Sequence, residues 1–287
     1  MEYLDYQIDS TVLDPDSTEA DEMTERIPVV FVHGLWLHAT SWQDWAQCFA
    51  DAGFDPIMPE WPGVPDTVSA ARAVPERQAG VGIAEISAAY AEVVRGLPRP
   101  PVLIGHSMGG WVVQHLLGQG LGAAAVAISP GQIRGVKALS LTQGRAVLPV
   151  LGNPDNVKRA VSLSAKQFRF CFGNAVSPAE SDALHAKWSM PSPARPLFQL
   201  AYANFIPNSP AAVDVRNDAR GPLLLLSGKL DHTIPDVLTR AAVKRYRHTQ
   251  AVTDYQRFDD RGHSLVVDSG WHTVADTALQ WLRKVLP

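Results

Sequence analysis

The stretch Pro101-Val102-Leu103-Ile104-Gly105-His106-Ser107-Met108-Gly109-Gly110-Trp111-Val112-Val113-Gln114-His115-Leu116-Leu117 decides how the chain is read. Its first four residues form an apolar run with the length of a buried parallel strand. Its last seven carry the apolar content of a helix that Gly118 or Gly120 can end. Between them lies Gly-x-Ser-x-Gly. The pentapeptide alone is common in chains of this composition, and its place between strand and helix is what makes it informative. Glycines on either side of Ser107 remove side chains where backbone must pass closely, so the turn can be sharp enough to lift the hydroxyl beyond the sheet edge. A serine so placed is a candidate nucleophile.

Working outward, apolar runs alternate with helical patterns. Pro28 to Val32 reads as a strand. Ser41-x-x-Asp44 marks a helix start whose Trp42, Trp45 and Phe49 face the sheet until Gly53, and Phe54 to Pro59 reads as the next strand. A Pro-rich connection from Glu60 to Gly82 leads to a helix over Ile83 to Leu97. After the serine turn and its helix come a strand at Ala123 to Ile128, a strand at Pro222 to Ser227, a helix from about Asp236 to Arg247, a strand at Thr253 to Phe258, and a closing helix from Trp271 to Leu286. This alternation predicts an α/β fold with a mostly parallel, doubly wound sheet and ligands at the carboxyl ends of its strands. The pattern breaks over 131–219, where prolines and helical segments suggest an inserted cap. The expected organisation is an acidic lead-in at 1–27, a core made of 28–130 and 220–287, and the cap between them.

With 287 residues, 46% of them hydrophobic, the chain can bury a full core. A net charge of -4 gives no basic field, and no local Lys/Arg cluster is read from the sequence, so a small-molecule partner is expected rather than nucleic acid or membrane. The first residues lack the charged and apolar regions of a signal peptide, and a cytoplasmic location is expected. The two cysteines, Cys48 and Cys171, stand far apart and read as free buried thiols. No cofactor motif is found, and no metal motif either, since His232 has no spaced second ligand.

A serine hydroxyl is a weak nucleophile that needs a general base, and the base needs a carboxylate to hold its tautomer. Of the nine histidines, His263 is the candidate base: it follows a strand, sits on a turn with Gly262, and precedes the last helix. His248, His272 and His115 belong to helix ends or packing, and His106, next to the serine on the strand, is expected to point to the other face. Asp231 is the candidate acid, because it follows the Leu223–Leu226 run through Gly228, whereas Asp259 and Asp260 read as surface or structural partners of the later turn. Two N–H donors are required for an oxyanion. Met108 at the helix start and Leu35 in His33-Gly34-Leu35-Trp36 fit. Trp36, Met108, Phe168 and Trp188 are the candidate substrate-lining side chains.

On these residues the chain resembles an α/β-hydrolase-fold protein of the serine esterase type. His33-Gly34 match the oxyanion turn, Gly105 to Gly110 the elbow, Asp231 the acid and Gly262-His263 the base, over residues 28 to 287. The resemblance implies a cap between the sixth and seventh strands in that family's order, and ester hydrolysis through a Ser-His-Asp triad and an acyl-enzyme. The same triad serves thioester, lactone and carbon–carbon bond hydrolysis, the fold also supports hydroxynitrile lyases, and the family includes slow-turnover receptors of small ligands. Aspartate-dependent members of the fold are disfavoured, since position 107 is not a carboxylate. The abbreviated N-terminus departs from the family by leaving little room for the opening strands, though Tyr3 to Ile8 could supply one.

Overall fold

Strand and helix alternate because apolar runs of strand length are separated by amphipathic segments of helix length, and every strand connection is long enough for a crossover. The computed structural model describes residues 26–138 and 140–286. The acidic lead-in and the candidate strand Tyr3 to Ile8 fall outside them, apart from the last residues of the lead-in. In chain order the first half comprises β1 (Ile27–Val32), α1 (Gln43–Asp51), β2 (Phe54–Ile57), α2 (Val68–Ala73), α3 (Ile83–Arg95), β3 (Val102–His106), α4 (Met108–Gly118) and β4 (Ala124–Ile128). Four helices and two very short strands follow: α5 (Leu141–Leu151), β5 (Ala160–Val161), α6 (Ala165–Cys171), α7 (Pro178–Trp188), β6 (Ser192–Pro193) and α8 (Arg195–Ala201). The core then resumes with β7 (Leu223–Gly228), α9 (Asp236–Val243), β8 (Thr253–Phe258) and α10 (Trp271–Val285).

The six core strands lie in the order β2-β1-β3-β4-β7-β8, and each neighbouring pair is parallel. The chain runs outward from β1 to β2, then returns to β3 on the other side of β1. The carboxyl ends of β1 and β3 therefore flank the switch point, where connections leave in opposite directions and open a crevice. The register pairs Val32 with Gly105, so the loops after β1 and β3 begin side by side. Helices cover both faces, which explains why the central strands are apolar throughout instead of alternating. Val30, Val32, Leu103, Ala125 and Leu225 pack with α3, α4 and the segment after β4; Val29, Phe31, Ile104, Val126 and Leu224 pack with α1 and α10. The two edges are blunted by Pro56 in β2 and by exposed Asp254, Gln256 and Arg257 in β8.

Trp42, Trp45 and Phe49 do face the sheet, with Phe31 at ring-centroid distances of 5.2, 6.5 and 5.4 Å. The indole N–H of Trp45 donates to the Val266 carbonyl at 2.9 Å, so its polar atom is satisfied at depth. Ser41 is not the helix cap. A short 3-10 turn over Ala39–Trp42 runs directly into α1, and the side chain of His38 caps it by accepting from the Thr40 N–H. The antiparallel pair β5–β6, joined at Ala160 with Pro193 and Val161 with Ser192, was not expected; two-residue strands leave no periodicity to read. Phe49, fully buried, touches rings on three sides, so Phe49→Ala is expected to lower the unfolding free energy by about 3–5 kcal/mol, measured by urea denaturation.

Candidate active site

The turn after β3 is the most constrained backbone in the site. Ser107 has φ 55° and ψ -116°, a conformation that a residue with a side chain adopts only when its surroundings impose it. Its N–H donates to the Ile128 carbonyl at 2.9 Å, and its carbonyl accepts from Trp111 N–H at 3.2 Å and Gly131 N–H at 2.7 Å. The glycines have steric reasons. A Cβ on Gly105 would lie 2.2 Å from the Gly109 carbonyl oxygen, and one on Gly109 would lie 2.0 Å from that of Val32. On the facing loop, a Cβ on Gly34 would stand 2.8 Å from the Ser107 Cβ. Strand β1, its loop and the start of α4 are thus in backbone contact around the serine.

Parallel β7 and β8, paired through Gly228 and Phe258, release their following loops at the same end of the sheet. Those loops bring Asp231 and His263 together: Asp231 Oδ2 lies 2.7 Å from His263 Nδ1, and both side chains are buried. The second oxygen, Oδ1, accepts from the N–H groups of Thr233 at 2.8 Å and Ile234 at 2.7 Å. With a carboxylate at Nδ1, the proton belongs on Nδ1 and the lone pair on Nε2. His263 Nε2 has no hydrogen-bond partner among the described residues. Asp259 and Asp260 are exposed and lie beside Arg257 and Arg261, at 2.7 and 3.6 Å.

The expectation that His106 turns away from the site is corrected. Its ring centroid lies 4.6 Å from that of His263, because the loop after β8 folds across the end of β3. Phe172 also packs against His263, at 4.7 Å. Burial, and then the neighbouring His263, hold His106 well below the ordinary histidine range, so it is a neutral wall against the imidazole. His115 stacks on Trp111 at 4.9 Å and meets the Ala212 carbonyl, a packing role, and His248 and His272 are exposed.

Met108 is the first residue of α4, where amides have no intrahelical acceptor. Among the described residues, neither its N–H nor that of Leu35 donates to another group. Both residues line, with Ser107 and Trp36, a cavity of about 240 Å³. Its remaining wall is mainly apolar, from Val147 and Leu151 of α5, Leu197 and Leu200 of α8, and Ile234. Trp36 stands at φ 65° and is tied to the small sheet: its N–H donates to Ser192 Oγ at 2.6 Å and its indole N–H to the Val161 carbonyl at 2.9 Å.

Phe168 and Trp188, expected to line the pocket, do not reach it. Phe168 stacks flat on Phe172 at 4.8 Å with no exposed surface. Trp188 is buried beneath the Lys187 ammonium. Each faces inward from its own helix, which tells nothing of the cavity. The polar cavity residues Gln132, Gln143, Thr233 and Cys171 carried no local signal, since each lies outside any motif. Only Cys171 of the two thiols is buried, Cys48 being partly exposed. A basic cluster that sequence reading overlooked also exists: Tyr246 turns inward, leaving Lys244, Arg245, Arg247 and His248 with Arg216 around a separate surface depression. Among the described residues no group of three or more His, Cys, Asp or Glu side chains could hold a metal ion, and no helix is long and apolar enough to cross a membrane.

The fold is shared widely. The chain matches a monoacylglycerol lipase from Paleococcus ferrophilus at 20% identity and a TM-score of 0.63, covering 90% of this chain and 94% of that one. A methylesterase from Arabidopsis matches at 18% identity and 0.61, covering 90% and 99%, and a thermophilic esterase from Thermogutta terrifontis at 19% and 0.60, covering 91% of each chain. No curated protein matches the chain in sequence. A parallel sheet, a strained serine turn after its third strand and a match of residues 29–277 to the model of the alpha/beta hydrolase family agree, and the chain belongs to that family.

Proposed function

We propose that this protein hydrolyses small hydrophobic carboxylic esters, with Ser107 as nucleophile, His263 as general base and acid, and Asp231 as the carboxylate that holds the histidine. One observation supports the reading: a buried His263–Asp231 pair at 2.7 Å packs against His106, the residue before Ser107, at 4.6 Å between rings, its Nε2 has no partner among the described residues, and Ser107 stands at an unfavourable φ on the cavity wall. Ser107 Oγ attacks the ester carbonyl as its proton passes to His263 Nε2, and the carbonyl oxygen becomes an oxyanion. The N–H groups of Leu35 and Met108 receive that charge, aided by the positive end of α4. The tetrahedral adduct then collapses, and the imidazolium returns its proton to the departing alkoxide, giving the alcohol and an acyl-serine. Water, deprotonated by the same Nε2, releases the carboxylic acid and restores the serine. The apo Nε2 need not touch the hydroxyl, because such bonds tighten when substrate is bound.

The apolar wall favours hydrophobic acyl or aryl groups, and residues 131–219 act as a cap in this reading, supplying α5 and α8 to the cavity. The esterases and the lipase among the solved relatives support an ester as substrate. Cys171, also on the wall, is not a rival nucleophile. Burial, and then the charge of Asp231, push its thiol up to about 12, so at pH 8 only about one molecule in ten thousand carries the reactive thiolate.

Ser107→Ala is expected to reduce kcat for a p-nitrophenyl ester by more than about a thousandfold while the melting temperature holds, and a fluorophosphonate should label the parent protein at Ser107 alone. Retained activity in this variant would overturn the reading. Asp231→Asn should cost about a hundredfold or more in kcat, against less than about twofold for Asp259→Asn, whose partner is an exposed arginine. Iodoacetamide at pH 8 should leave Cys171 unmodified in the native protein and modify it after denaturation, read by mass spectrometry of its tryptic peptide.

A further inference from the structure

Two histidines bracket the loop after β1, one at each end of His33-Gly34-Leu35-Trp36-Leu37-His38, and both meet the same carboxylate. Glu60, on the connection after β2, places Oε2 3.1 Å from His33 Nε2 and Oε1 3.0 Å from His38 Nδ1; His38 Nδ1 already receives the Thr40 N–H, so His33 is the ring that can donate to the carboxylate. Oε1 also accepts the N–H of Ala39. The His33 and His38 side chains have essentially no exposure, and that of Glu60 has 17%. Burial would raise the Glu60 pKa, yet the His33 and His38 rings and the Ala39 N–H outweigh burial and keep it below the usual range.

The far side of the His33 ring carries the consequence. Its Nδ1 lies 2.9 Å from the Gly34 carbonyl oxygen, which can only accept, while Nε2 stands at ion-pair distance from the Glu60 carboxylate, so both ring nitrogens face acceptors. Trp61 stacks on the ring at 4.7 Å and fixes its plane. The Gly34 C=O and the Leu35 N–H belong to one planar trans peptide, so holding the oxygen sets the opposite direction of the N–H. We propose that Glu60 is a positioning residue of the active site: through His33 it holds the Gly34–Leu35 peptide so that the Leu35 N–H is aimed at the developing oxyanion. Ser192 Oγ already takes the neighbouring Trp36 N–H, and the N–H of Leu35, which lines the cavity with Ser107, has no acceptor among the described residues. The assignment rests on the hydrolytic reading above. Its stereochemical part, the ordering of the loop, stands apart from turnover.

The test is Glu60→Gln in the full chain, which keeps the size of the side chain and removes its charge. Three readouts are taken: steady-state kinetics on a short p-nitrophenyl ester, affinity for a trifluoromethyl ketone that forms an oxyanion on Ser107, and amide hydrogen exchange of the 33–38 segment. Expected are a fall in kcat of about tenfold or more with KM changed less than about twofold, a parallel loss of ketone affinity, and faster exchange in the loop. His33→Gln breaks the same relay while keeping the acid. It should reproduce the kinetic loss, the double variant should be no worse than the poorer single one, and it decides the case if Glu60→Gln does not fold. A variant with lowered melting temperature but unchanged kcat and loop exchange would overturn the inference and leave Glu60 with stability alone. Faster loop exchange in a protein whose parent form neither turns over esters nor is labelled at Ser107 would support the positioning of the loop and discard the hydrolytic reading instead.

Discussion

Close backbone contact between β1 and the start of α4 is the constraint on which the site depends. Val32 is paired with Gly105, and the Val32 carbonyl stands where a Gly109 Cβ would be. That proximity does two things at once. It forces the chain to leave β3 through a positive φ at Ser107, and it brings the loop after β1 against the serine, with Gly34 facing Ser107 Cβ. Neither the placement of Ser107 on the cavity wall nor the approach of the loop after β1 to it survives if the two strands separate. A parallel sheet covered on both faces has little freedom to separate them, because each strand is clamped by apolar side chains above and below.

Buried polar groups mark where this fold gives up stability for arrangement. Asp231 lies in the interior, and all its demands are met: two backbone N–H groups on one oxygen and the imidazole on the other. A satisfied buried carboxylate is tolerated where an unsatisfied one is not. His263 Nε2 breaks the pattern, a buried nitrogen with no partner among the described residues. His106 and Phe172 both pack against the imidazole, so it is oriented by contact as well as by its hydrogen bond.

The segment between β4 and β7 is joined to the core at the loop after β1. The Trp36 indole reaches β5, its amide reaches β6, and its carbonyl accepts from Met190 N–H at 3.0 Å. The same loop therefore meets both Ser107 and the segment between β4 and β7. The wall formed by α5 and α8 comes from that segment and not from the sheet. This is why a common fold does not bring a common substrate.

Much of the core was legible in the sequence. Apolar runs and helical periodicity give element type and the buried face, and a glycine-flanked serine between strand and helix gives the turn, because these are local properties of backbone and burial. Asp231 and His263 could be singled out because the end of a strand is itself a local signal, and parallel strands bring such ends together. Tertiary structure alone decided which surfaces meet. Phe168 and Trp188 are buried apolar residues, as expected, but do not line the cavity. His106 lies beside His263 across more than 150 residues of chain, and Glu60 reaches two histidines of the loop after β1 from the connection after β2. Periodicity tells a residue that it will be buried, and only the packing of separate elements determines against what.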